Sequence, residues 1–170
     1  EPSLIILEAE TGVGKTEAGL AAAQVIAESV DAQGVYFAAP TMATADGLLE
    51  RTMNWARNTT ETGAVSSLYL AHSKNQLSKP FRDLRFRDIN EDADGPSTNG
   101  EVVASSWMSG RRRGLLSNIV VGTVDQVLML ALRQRYSMLR HAALAGKIII
   151  FDEIHSYGAY TSDYLATTLE

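Results

Sequence analysis

Five short apolar runs, at residues 4–7 (LIIL), 35–38 (VYFA), 65–70 (VSSLYL), 119–121 (IVV) and 148–151 (IIIF), are separated by segments long enough to hold a helix. That spacing constrains the fold more than any other feature. Antiparallel strands can be joined by a tight turn, whereas parallel strands need a crossover of about a dozen residues or more, usually a helix. The intervening segments carry helical periodicity. Residues 16–29 are alanine-rich, and residues 43–57 offer Leu48, Leu49, Met53 and Trp55 as apolar surface, with Met42 just ahead. Residues 123–135 contribute Val124, Val127, Leu128, Leu130, Ala131 and Leu132, and a last helix begins over residues 158–169. The expectation is an α/β domain with a mostly parallel sheet and helices on both faces. The runs at 4–7 and 148–151 lack polar alternation, as strands buried on both faces do.

Residues 73–106 break this order. They are polar and charged, include Asp94-Gly95-Pro96 and Asn99-Gly100, and hold no sustained period, which predicts a long loop or partly disordered insertion. A length of 170 residues with 45% hydrophobic side chains suits one domain over 1–170 better than two. Cysteine is absent, which excludes a disulfide framework and thiolate metal sites. No apolar run approaches the roughly 18 residues that span a membrane, and the first residues do not form a secretory signal, so the expectation is a soluble, cytoplasmic protein with no membrane partner. A net charge of −5 gives no global positive field. Local basicity does occur, at Lys74, Lys79, Arg82, Arg85 and Arg87 and again at Arg111, Arg112 and Arg113. For these clusters a solvated surface and a phosphate-contacting groove both stay open.

The segment LEAETGVGKTEAGL carries the first chemistry. After a strand, Gly12 and Gly14 let the backbone turn with N–H groups facing inward, and the following helix start adds its own donors, which together form a nest for phosphate oxygens. Lys15 reaches the β and γ phosphates and the Thr16 hydroxyl ligates Mg²⁺. Thr11, Gly12, Val13, Gly14, Lys15, Thr16 and Glu17 are the expected nucleotide-binding residues. The strict pattern places glycine where this chain has Ala9. KIIIFDEIHSY supplies the second half: Asp152, at the end of an apolar strand, for the metal, and Glu153 to orient and deprotonate the attacking water. Lys15 and Glu153 are thus the expected catalytic residues. Adjacent carboxylates repel unless a cation sits with them. His155 is placed to sense the γ phosphate and couple it to the rest of the molecule, whereas His72 and His141 lack a partner pattern and read as structural.

An Asp-Glu-x-His box paired with an A-x-T-G-x-G-K-T loop resembles superfamily 2 DExH-type helicases, whose motor is two RecA-like domains. AAPTMATADGL and VGTVDQVL resemble the two backbone-gripping motifs of the first such domain. Taken with LAHS, GRRRGLLSNIVVGTVDQVLMLAL and LRHAALAGKIIIFDEIHSYGAY, the chain from residue 4 to about 164 looks like the helicase-nuclease of type I CRISPR interference. The resemblance implies a RecA-like P-loop domain using ATP and Mg²⁺ on single-stranded DNA. It also implies recruitment to a CRISPR surveillance complex, with a second RecA-like domain and a nuclease domain expected beyond this chain. It implies contacts to DNA phosphates from Pro40, Thr41 and Thr123, and from Arg111, Arg112 and Arg113. Gly158 departs from the aspartate expected after the tyrosine. Two further readings of the loop stay open: another P-loop ATPase or kinase, and a nucleotide-binding module without turnover of its own. An Asn-Lys-x-Asp guanine-reading motif does not occur, and Ser109-Gly110 is not continued into a transporter signature.

Overall fold

The computed structural model describes residues 4–10, 12–61, 64–72, 78, 81, 86–87, 101–105, 113–132 and 137–169. Helix α1 (Lys15–Val30) leads to β1 (Gly34–Ala39), then α2 (Met42–Thr59) and β2 (Val65–Ala71). Two short strands follow, β3 (Phe86–Arg87) and β4 (Glu101–Ser105), then β5 (Ile119–Thr123), α3 (Val124–Leu128), α4 (Ser137–Leu144), β6 (Lys147–Phe151) and α5 (Ala159–Leu169). The sheet has six strands in the order β3-β4-β2-β5-β1-β6, and every pair is parallel.

The centre of the sheet is β5, β1 and β2, whose sequences are rich in valine, isoleucine and aromatic residues that suit a strand buried on both faces. Each residue of β5 is buried, and Tyr36, Phe37, Leu68, Leu70, Val120 and Val121 are fully enclosed. Burying one such side chain contributes about 1.5–3 kcal/mol. Helix α2 packs on β1, β2 and β5, and α1 packs on β6 and α2; α4 packs on β6 and on the short 3₁₀ turn Arg113–Leu116, and α5 packs on α3. Asn118 joins the starts of the central strands: its Oδ1 accepts from Ser67 N–H and Oγ at 3.3 and 2.9 Å, its Nδ2 donates to the Gln33 carbonyl at 3.3 Å, and its own carbonyl accepts from Val35 N–H at 2.8 Å. A Cβ at Gly34 would land on that carbonyl, so glycine is needed there.

Three sequence expectations need correction. Residues 4–7 form no strand; Leu4, Ile5, Ile6 and Leu7 are 53–74% exposed. A strand requires a partner edge, and among the described residues β6 pairs only with β1. The helix expected over 123–135 is shorter: α3 ends at Leu128, a 3₁₀ turn covers Met129–Ala131, and Leu132 is extended. The described part of residues 73–106 is not all loop, because β3 and β4 extend the sheet and Val102, Val103, Ala104 and Phe81 are buried; the rest of that range lies outside the described residues. Their apolar stretches are too short for periodicity to register. The other expected strands and helices lie where the runs place them, to within one or two residues, whereas α4 (Ser137–Leu144) is not among the sequence expectations. His72 is buried with Nε2 3.3 Å from Asp46 Oδ1, in keeping with a structural role.

Candidate functional site

The glycine loop is built as its chemistry requires. Gly12 and Gly14 have φ of 85° and 95°, a left-handed conformation that side-chain-bearing residues rarely adopt. Gly14 is the N-cap of α1 and offers no side chain to its amides, so the first-turn N–H groups of Lys15, Thr16 and Glu17 point out of the helix without an internal partner. The helix dipole adds a partial positive charge at the same place. Lys15 Nζ donates to the Ala9 carbonyl at 2.8 Å, which closes the loop on itself. Val13 is an exposed loop residue. Thr11 lies outside the described residues.

At the other end of the site, Asp152 N–H donates to the Ala38 carbonyl at 3.0 Å and carries the β1–β6 ladder one residue past the strand. Burial, then repulsion from the adjacent Glu153, pushes the Asp152 carboxyl up from the usual carboxylate range; the Glu153 amide and the charges of Lys15 and Arg51 pull the other way. The lysine of the loop and the aspartate of the strand tip therefore share one electrostatic neighbourhood. Arg51, on α2, is also 3.7 Å from Glu17 of α1, an exposed pair worth little to stability.

Glu153 has φ 51° and ψ 44°, a left-handed backbone on a non-glycine residue that costs on the order of 1–3 kcal/mol. The turn after it is tied down by Ser156, whose N–H and Oγ both donate to the Glu153 carbonyl at 2.8 Å, and by Tyr157, whose hydroxyl donates to the Asp152 carbonyl at 3.0 Å. The Glu153 carboxylate lies 3.1 Å from His155 Nε2, and the imidazole is exposed. Burial, then the Asp152 charge, raises the Tyr157 phenol to about 12, so it stays a donor near neutral pH.

A cavity of about 390 Å³ brings Glu153, Ser156 and Tyr157 together with Pro40, Thr41 and Asp125. Thr41 is the N-cap of α2: its Oγ1 accepts from Thr44 N–H at 3.2 Å and lies 2.8 Å from Thr44 Oγ1, while the residue stays exposed. Thr123 stands at the head of α3 but is only 7% exposed, and its carbonyl accepts the buried Tyr36 hydroxyl at 3.0 Å. Of the three arginines, Arg113 opens the exposed start of the 3₁₀ turn before β5, whereas Arg111 and Arg112 lie outside the described residues. Gly158, on the rim of the cavity, has open space where a Cβ would be.

Two residues of this site escape a reading by motif. Arg51 looks like one more solvated charge on an amphipathic helix, and Tyr157 like an ordinary aromatic after the acidic box. Only tertiary contact singles them out.

A parallel sheet with a glycine loop at a helix start and two acids at a strand tip defines a RecA-like α/β domain. Residues 2–167 match the family described as the res subunit of type III restriction enzymes, and the chain belongs to that family. It is 40% identical over 166 residues to a CRISPR-associated nuclease/helicase Cas3 of Streptococcus thermophilus, covering 96% of this chain and 18% of that protein. It is 36% identical to a CRISPR-associated endonuclease/helicase Cas3 of Thermus thermophilus, over 99% of this chain and 18% of the relative. The solved structure of T. fusca Cas3-ATP matches with a TM-score of 0.78 and 36% identity, covering 95% of this chain and 16% of that one. The chain thus spans under a fifth of the length of these relatives.

Proposed function

We propose that this chain is the ATP-binding first motor domain of an ATP-dependent single-stranded-DNA translocase or helicase acting in CRISPR interference against invader DNA. The observation that supports the reading is the packing of α1, which starts at the Lys15 loop, on β6, which ends at Asp152. The left-handed glycines and uncapped first turn of α1 suit a triphosphate, and Lys15 exchanges its contact with the Ala9 carbonyl for phosphate oxygens. Thr16 and Asp152 are the residues that would hold Mg²⁺. The donor set fits this ion: one hydroxyl and one carboxylate that burial and a neighbouring acid leave in need of a cation, with no cluster of three or more His, Asp or Glu among the described residues. Bound there, the ion supplies charge neutralisation to the phosphates.

Glu153 takes the proton of the attacking water, and His155, paired with it, passes the state of the site onward. Thr41, seated on Pro40 at the head of α2, can still donate its hydroxyl to a phosphate while accepting from Thr44. Thr123 supports the second gripping turn, and Arg111, Arg112 and Arg113 supply positive charge for DNA phosphates. Partners on this reading are single-stranded DNA, a CRISPR surveillance complex, and a second RecA-like domain and nuclease domain of the same polypeptide, in the cytoplasm. The isolated chain is expected to bind nucleotide and turn it over slowly. An arginine finger from elsewhere contributes about 10³–10⁵ in rate, and within the domain Glu153 is already engaged by His155.

The test is ATP hydrolysis by the full-length polypeptide with and without single-stranded DNA, in wild type and Glu153→Gln. Stimulation by DNA in the wild type, with retained nucleotide binding and lost turnover in the variant, is the expected pattern. Wild-type turnover in the variant would remove Glu153 as the base; turnover indifferent to DNA would point to another kind of P-loop ATPase.

A further inference from the structure

Asp152 and Glu153 are consecutive, yet one ends a strand in the β1–β6 ladder and the other sits in a left-handed turn. Such a turn on a glutamate relaxes unless its surroundings hold it. Two side chains do so from opposite ends. The Tyr157 hydroxyl donates to the carbonyl of Asp152, immediately before the strained residue, and Ser156 donates twice to the carbonyl of Glu153, immediately after it. The Tyr157 ring is half-buried against the core, with Tyr164 and Phe151 also packed there, so the hydroxyl is delivered from a fixed base rather than a mobile loop.

We propose that Tyr157 is a positioning residue for the acidic pair: its hydroxyl, with Ser156 as the second arm, clamps the left-handed turn that sets Asp152 and Glu153 in their separate places. This deepens the proposed function and rests on that reading of the two acids. Tyr157 acts through the peptide between the two carboxylates, by its hydrogen bond to the Asp152 carbonyl. Geometry alone distinguishes it from Tyr160, three residues on, which is exposed and packs at a tilt on Tyr164, with ring centroids 4.7 Å and ring planes 49° apart.

Steady-state ATP hydrolysis by the full-length polypeptide separates the possibilities, with Tyr157→Phe, Ser156→Ala and Tyr160→Phe compared with wild type. Tyr157→Phe keeps the packed ring and loses one hydrogen bond, so kcat is expected to fall about five- to tenfold while KM for ATP stays within about twofold and the melting temperature is unchanged. Ser156→Ala should give a smaller fall in kcat of the same kind, and Tyr160→Phe none. Amide exchange at residues 153–156 should quicken in Tyr157→Phe, a readout independent of turnover. An unchanged kcat with wild-type exchange overturns the clamp, as does a loss of kcat matched by a lower melting temperature and a raised KM, which would make Tyr157 merely structural. A wild type without turnover sinks the reading of the site itself, and the clamp with it.

Discussion

Lys15 is the side chain on which the nucleotide reading turns, because it is the one cation that belongs to the glycine loop and also bears on Asp152. Its ammonium donates to the Ala9 carbonyl on a partly exposed loop, an arrangement a triphosphate can outcompete with charge-assisted bonds. Replacing it by alanine removes an interaction of about 1.5–3 kcal/mol, so Mg-ATP affinity measured by titration is expected to drop roughly 10- to 100-fold with little change in stability. Unchanged affinity would take Lys15 out of the site. At this scale the loop and the acidic box were legible in the sequence, since their chemistry is set by spacing along the chain. The roles of Arg51 and Tyr157 were not, because each is defined by a residue far away or by a backbone carbonyl, and neither leaves a pattern in the primary structure.

Among the elements, β1 carries most of the mechanical connection. It lies between β5 and β6, and Tyr36 at its centre reaches over Gly122 of β5 to donate to the Thr123 carbonyl. A Cβ on Gly122 would strike that hydroxyl, so the glycine and the tyrosine are matched. Burial raises the Tyr36 phenol far above its ordinary range and keeps it a donor. Tyr36→Phe leaves the carbonyl without this partner in the interior and is expected to lower unfolding free energy by about 1–3 kcal/mol, read as a shifted denaturant midpoint at constant slope; no shift would mean that water or another donor replaces the phenol. Strands β1, β2, β5 and β6 could be read because each holds a sustained apolar run, as a strand enclosed within a parallel sheet requires. The strand expected at residues 4–7 is equally apolar, but pattern cannot report whether a neighbour exists to bond with it. Conversely β4 is buried in the sheet, yet its three enclosed residues, Val102, Val103 and Ala104, are surrounded by polar sequence that hides them.

For the molecule as a whole, charge and size say less than placement. A net charge of −5 gives no general attraction to a polyanion, so affinity for single strands has to come from local groups. If Arg111, Arg112 and Arg113 meet phosphates, changing all three to alanine should flatten the plot of log affinity against log salt by roughly two units, at about 0.7 per phosphate for single strands. An identical slope would return them to ordinary surface. The outer side of β6 has a different consequence. Its five residues are only half-covered, among the described residues it pairs with β1 alone, and Leu4, Ile5, Ile6 and Leu7 are exposed as well. An uncapped border of this kind is adhesive. Copies of the chain will tend to stick to one another along it as they are concentrated, so ligand titrations are cleanest when dilute.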